Sequence, residues 1–151
     1  MFKRHVFLPL AALFLGIGAA GCTVVREYPE AEKVREPQKA EHEIARQLLH
    51  AFVANDASKF VSLLPEETQQ KFTKESFKQY RKKITESVGE PVSFTFLTAL
   101  ELQALTPQIW KVRFRRTDDK RGTEFTSEVL FRVITGMSGK KSAVITSFQF
   151  I

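Results

Sequence analysis

The chain has 151 residues, with 23 Lys and Arg against 17 Asp and Glu and a formal net charge of +6. That length suits one domain of common size, and the mild basic bias falls well short of a nucleic-acid-binding composition. A single cysteine excludes an internal disulfide.

In chain order, Met1-Phe2-Lys3-Arg4-His5 is a short basic segment, and Val6 to Ala20 is an apolar run broken only by Pro9 and two glycines. At the helical rise this run reaches about 22 Å, short of the roughly 30 Å hydrocarbon core. The pattern predicts a secretory signal peptide over residues 1–21, not a spanning helix. Its exit, Ile17-Gly18-Ala19-Ala20-Gly21-Cys22, resembles the lipobox of bacterial lipoproteins, in which small residues precede an invariant cysteine. Ala19 stands where that family favours leucine. The resemblance implies cleavage between Gly21 and Cys22, thioether attachment of a diacylglycerol to Cys22, and acylation of the new amine. Two or more acyl chains anchor stably, since each buried methylene contributes about 0.8 kcal/mol. By the family's sorting habit, Thr23 in place of Asp points to the outer membrane where one exists, and otherwise to the exported face of the cell membrane. The alternative is an ordinary signal peptide with an incidental cysteine. It leaves a lone thiol open to oxidation in an exported protein, a liability that lipidation removes. Losing Lys3 and Arg4 takes 23 basic residues to 21 against 17 acidic, a net +4 for the processed chain. Export makes nucleic acid an unsuited partner.

From Thr23 to about Glu41, two prolines, alternating charges and few large apolar residues predict a tether. Such a stretch buries too little surface to offset its ordering entropy. Its boundary is set at residues 22–42, and the domain at 43–151. Ile44, Ala45, Leu48, Ala51 and Phe52 then lie along one side of a helix ending at Asn55. Asp56 caps a short helix carrying Phe60, Leu63 and Leu64, and Pro65 starts another turn. Thr73 caps a helix with Phe77, Tyr80, Ile84 and Val88 on one stripe, stopped by Gly89 and Pro91.

After Pro91 the period becomes two. Val92, Phe94, Phe96, Thr98, Leu100 and Leu102 form one apolar set, Trp110, Val112 and Phe114 a second, and Phe125, Val129, Phe131 and Val133 a third. A last strand runs from Ser142 to Ile151. This alternation predicts antiparallel strands with one wet face, joined by hairpins at Asp118–Gly122 and Gly136–Lys140. Helices first and strands afterwards define an α+β domain, with N-terminal helices packed on a curved four-stranded antiparallel sheet. Over residues 43–151 the chain resembles the NTF2-like (cystatin-like α+β) superfamily, and small lipoproteins that carry that domain. The resemblance is carried by Asn55-Asp56, Leu64-Pro65-Glu66-Glu67, Trp110-Lys111-Val112-Arg113-Phe114, the strand Glu128 to Val133, and Phe148-Gln149-Phe150. It implies a conical interior in which isomerases and dehydratases of the superfamily place Asp, His or Tyr. Many activities use this fold.

Candidate chemistry is sparse. On a wheel centred on Ile44, His42 and His50 both leave the buried stripe and read as exposed. Eight residues apart, they miss the spacing of a helical metal pair, and no metal or cofactor site is expected. Glu101, Glu124 and Glu128 fall on the wet parity, as cross-strand partners of Lys111, Arg113, Arg115 or Arg132. Tyr80 is the polar group most directed to the interior, either as a satisfied core tyrosine or as one side of a pocket, with Ser147 and Gln149 as weaker companions. The eleven phenylalanines after residue 21 read as one Phe-rich core, with an aromatic pocket as the rival; if Phe148 and Phe150 share a face, Phe94 and Phe96 are expected against them. Lys111, Arg113 and Arg115 make a basic strand face, with Lys78, Arg81, Lys82 and Lys83 as a helical cluster. These surfaces suit an envelope protein or an anionic glycan or lipid, unless the glutamates already balance them. The expected function is a lipid-anchored envelope module that binds a partner without catalysis; the alternative is a small-molecule-binding protein or enzyme with an NTF2-like pocket.

Overall fold

In the computed structural model the described residues are 37–151, apart from 101, 103, 119–121 and 140–141. The first helix, α1 (Lys39–Val53), buries Ala45, Leu48, Leu49 and Phe52 on one stripe. It begins four residues before Glu43, so Lys39 to His42 belong to the domain and not to the tether. Asn55 ends this segment at φ +56, a left-handed conformation that asparagine tolerates better than most residues. The expected caps are present. Asp56 Oδ1 accepts from the Lys59 N–H at 2.8 Å at the start of α2 (Ala57–Ser62). Thr73 Oγ1 accepts from the Ser76 N–H at 3.3 Å at the start of α4 (Lys74–Val88). Pro65 precedes the single turn α3 (Glu66–Gln69).

Gly89 reverses the chain at φ +100 and ψ −169 into β1 (Glu90–Ala99). The sheet continues as β2 (Leu105–Asp118), β3 (Thr123–Ser138) and β4 (Ser142–Phe150), in that spatial order and wholly antiparallel. The fold is therefore the α+β arrangement expected, with a curved, open sheet. Gly122 and Gly139 close two of its hairpins at positive φ.

Three register shifts bend the sheet and change which side chains face inward: Pro91/Ser93 and Phe96/Thr98 in β1, and Ile134/Thr135 against β4. An extra residue on one strand reverses side-chain parity beyond it. Phe94 and Phe96 face the helices, but past the second shift Ala99 is buried while Thr98 pairs with outward-facing Ile109. Val92, Leu100 and Leu102, expected in the apolar set, are exposed. Phe125 is also exposed, as are Thr123, Glu124 and Thr126 around it at the start of β3.

Between helices and sheet the space is filled with aromatic rings. Phe60 lies 4.7 Å from Phe77 and 5.2 Å from Phe148, and Phe52 lies 5.4 Å from Phe150, centroid to centroid. Phe131 packs on Phe150 at 4.6 Å. The buried core draws its residues from 45–145, so the domain closes a core of its own. Phe94 and Phe96 share the inner face with Phe148 and Phe150 but sit on the opposite edge strand. They pack on Trp110, not on the β4 phenylalanines.

Candidate functional site

At the start of α1 the structure gathers polar groups that sequence reasoning passed over. Glu41 is 3 % exposed, and Gln108 and Thr135 are fully buried. The Glu41 carboxylate accepts from Thr106 Oγ1 at 3.1 Å and lies 3.3 Å from Thr135 Oγ1. Gln108 Nε2 donates to the Glu41 main-chain oxygen at 2.9 Å and to Thr135 Oγ1 at 3.1 Å. The single Thr135 proton is therefore shared between Glu41 Oε1 and the Thr106 carbonyl, 3.2 Å away. A carboxylate in the first turn also meets the positive end of the helix dipole. Two buried atoms beside this network, Gln108 Oε1 and Trp110 Nε1, have no hydrogen-bond partner among the described residues.

Next to this network His42 stands between two aromatic rings, 5.1 Å from Phe96 and 5.0 Å from Trp110. The imidazole is half-buried, not exposed as expected. The expectation failed because Ile44 lies at the edge of the buried stripe. Centred on Ala45, Leu48 and Phe52, the wheel puts Glu41 only about 20° from the stripe axis and His42 about 80° away; His50 remains about 160° away and is exposed. Pro37, Lys39, His42 and Phe96 line a cleft of ≈ 380 Å³. Gln108 and Thr135 carried a signal that was available in the sequence: both are polar residues on the apolar parity of their strands.

The expected pocket trio is not brought together. Ser147 and Gln149 are exposed on the outer sheet face, opposite Ile134 and Arg132, because Phe148 and Phe150 take the inner parity. Tyr80 is half-buried among Phe52, Phe72, Phe148 and Phe150. Its hydroxyl is buried without a partner in good hydrogen-bond geometry. Burial pushes it up to about 12, the Phe150 main chain opposing the shift. The fold thus favours the neutral phenol, whose unfolded value is near 10. Stability is expected to be independent of this group below pH 10 and to fall between pH 10 and 12, by up to about 1.4 kcal/mol per pH unit. Denaturant titrations across that range test this, and Tyr80→Phe should flatten the curve.

The basic strand face exists but is largely paired. Lys111 and Arg113 both reach Glu128, at 3.2 and 3.1 Å, and Arg115 lies 3.8 Å from Glu124. Hydrogen bonds from Lys111 and then Arg113 hold the Glu128 carboxyl below its usual range. On α4, Arg81 is drawn from its neighbours to Glu90 at 2.8 Å and to the Phe52 carbonyl at 3.1 Å. A second cleft of ≈ 330 Å³ is lined by Glu43, Arg46, Gln47, His50 and Lys59. Within it the Arg46 hydrogen bond holds Glu43 down to about 2. Among the described residues no His, Cys, Asp and Glu group could hold a metal, and no helix is long and apolar enough to cross a membrane. Gly21, Cys22 and Glu101 lie outside the described residues.

The arrangement of helices and sheet is that of an NTF2-like, ketosteroid isomerase-like fold. A ketosteroid isomerase-like protein from Erwinia carotovora is similar at a TM-score of 0.53 and 10% identity, over 74% of this chain and 92% of that one. A SEC-C motif containing protein from Rhodopseudomonas palustris aligns at TM-score 0.45 and 16% identity, over 70% and 74%. The chain Rd1NTF2_05 aligns at 0.44 and 13%, over 73% and 95%. No family model matches the chain, and no curated protein matches its sequence.

Proposed function

We propose that this protein is a lipid-anchored accessory module of the cell envelope, whose domain binds a partner and does not transform a substrate. Residues 1–21 export it, cleavage falls between Gly21 and Cys22, and acylated Cys22 holds it at the cell or outer membrane. The anchor rests on the lipobox-like residues and the lone cysteine. The binding role rests on one observation. The interior where related enzymes keep their polar groups is packed here with Phe52, Phe60, Phe77 and Phe131, while Lys39, His42 and Phe96 line a cleft at its rim. A cation, an imidazole and an aromatic face suit an acidic or aromatic group on an envelope protein, or an anionic glycan. The face of Lys111, Arg113 and Arg115 suits such a partner less well, its charges being paired with Glu128 and Glu124.

Cys22→Ser is expected to lose fatty-acid labelling, and a substituted chain that still carries the label sinks the anchor. A photo-crosslinking phenylalanine analogue in place of Phe96 should trap one discrete partner in intact cells, and Lys39→Glu should abolish that adduct. The same analogue at exposed Phe125 should trap nothing; equal trapping at both positions would remove the cleft from the binding role. A second reading, a small polar ligand or substrate, is favoured by the unpartnered Gln108 Oε1 and Trp110 Nε1 beside the cleft. A small molecule that copurifies with the wild type and is lost in His42→Ala, with no protein adduct at position 96, would select it.

A further inference from the structure

The strand order brings two connections to one end of the sheet. Leu105 at the start of β2 pairs with Gly136 near the end of β3, so the β1–β2 hairpin and the β3–β4 turn lie side by side. Thr106 and Thr135 hold Glu41, in the first turn of α1, at this same end. The chain arriving from Cys22 therefore joins the domain where the hairpin tips are.

This end is unusually apolar for a solvent-facing tip. Of eight exposed large hydrophobic side chains among the described residues, Leu97, Leu100, Leu102 and Leu105 all belong to the β1–β2 hairpin. Leu100 and Leu102 are each 56% exposed. Their backbone is nevertheless held: Leu100 N–H donates to the Pro107 carbonyl at 2.8 Å and Leu102 N–H to the Leu105 carbonyl at 3.0 Å. Packing at Gly136, where a methyl would meet the Ala104 carbonyl oxygen at 3.2 Å and Leu105 Cδ2 at 3.3 Å, seats the tip on β3. The leucines are thus displayed on a built hairpin, at a site where burial among other side chains of the domain is not used. Exposed Lys39 begins α1 at the same end. Glu41 at this end is buried and hydrogen-bonded.

We propose that the β1–β2 hairpin tip is a membrane-contact element: Leu100, Leu102 and Leu105 enter the interfacial layer of an anionic bilayer, with Lys39 over its headgroups. Leucines beside a cation are a pairing that suits interfacial binding, apolar contact supplying depth and the cation favouring anionic lipid. The choice of a lipid surface over another occupant rests on the anchor reading. Fourteen residues separate Cys22 from Pro37, a leash of at most about 50 Å. It joins the domain at the leucine-bearing end and keeps that end at high effective concentration above the bilayer.

The test uses the chain from Thr23 to Ile151, made without the signal and without Cys22, so that its outcome is independent of lipidation. Its partition onto phosphatidylcholine vesicles, with and without phosphatidylglycerol, is measured by co-sedimentation. The wild type should favour the anionic vesicles. Leu100→Ser/Leu102→Ser should lower that partition by about tenfold or more, with an unchanged unfolding midpoint because both side chains are exposed. Phe125→Ser, at the opposite end of the sheet, should leave it unchanged, and Lys39→Glu should lower the preference for anionic lipid. Equal partition of wild type and the leucine variant overturns the proposal, as does an equal loss in Phe125→Ser. A dimer that dissociates in the leucine variant, without vesicle binding by the wild type, would reassign the tip to a second copy of the chain and also overturn it. If the bare domain binds vesicles while Cys22→Ser leaves fatty-acid labelling intact, the anchor alone fails.

Discussion

Phe52→Ala is expected to lower the unfolding free energy by about 3–5 kcal/mol. Phe52 is fully buried on α1 and touches three other elements: Phe77 and Tyr80 on α4, Phe131 on β3 and Phe150 on β4. The Arg81 guanidinium lies 5.9 Å above its ring, and the same residue donates to the Phe52 carbonyl. Truncation removes the transfer free energy of the ring and leaves a cavity whose walls come from separate elements, so they cannot collapse together. For a domain whose whole stability is about 5–15 kcal/mol, that loss is a large fraction. Phe52→Leu keeps much of the volume and is expected to cost less. Phe125→Ala removes the same ring from an exposed position and should change stability by no more than about 0.5 kcal/mol. Urea unfolding of the three variants checks this; similar losses at positions 52 and 125 would contradict the filled-core description.

Gly89→Ala is expected to destabilise by about 3 kcal/mol, for a reason that contact burial does not describe. At φ +100 and ψ −169 the residue occupies a region essentially reserved for glycine. A Cβ there would stand 2.4 Å from the Arg115 carbonyl oxygen and 2.7 Å from its carbon, both main-chain atoms of β2. Neither can swing away as a side chain would. The junction between α4 and β1 must open, disturbing the pairing of Glu90 with Arg115 and the Arg81–Glu90 ion pair. The melting temperature should fall by roughly ten degrees or more. A wild-type midpoint in Gly89→Ala would show that this junction relaxes at little cost.

The fold was legible where local chemistry decides it. Asp56 and Thr73 are caps because a short side-chain oxygen reaches a free helical N–H two or three residues on. Parity puts Glu128 on the face of Lys111, Arg113 and Arg115, and the register of β2 on β3 then pairs it with Lys111 and Arg113. The candidate site was much less legible. Composition places Glu41 in the tether, and a helical wheel centred on Ile44, an edge residue, turns His42 to solvent. Ser147 and Gln149 face outward because Phe148 and Phe150, between and after them, claim the inner face. The inward turn of Ala99 and the exposure of Val92 and Leu100 depend on bulges, which leave no periodic mark in the sequence.

By itself the sequence determined the order of elements, the caps that start α2 and α4, the apolar identity of the core and the lipobox-like approach to Cys22. Each of these depends on residues near one another in the chain, through capping, periodicity or a local motif. Only the tertiary structure decided that Glu41 meets Thr106 and Thr135, that His42 lies between Phe96 and Trp110, and that three leucines gather at the end where the chain joins the domain. Those are relations between segments tens of residues apart, set by register and bulges, and a one-residue shift in either would have placed different side chains there.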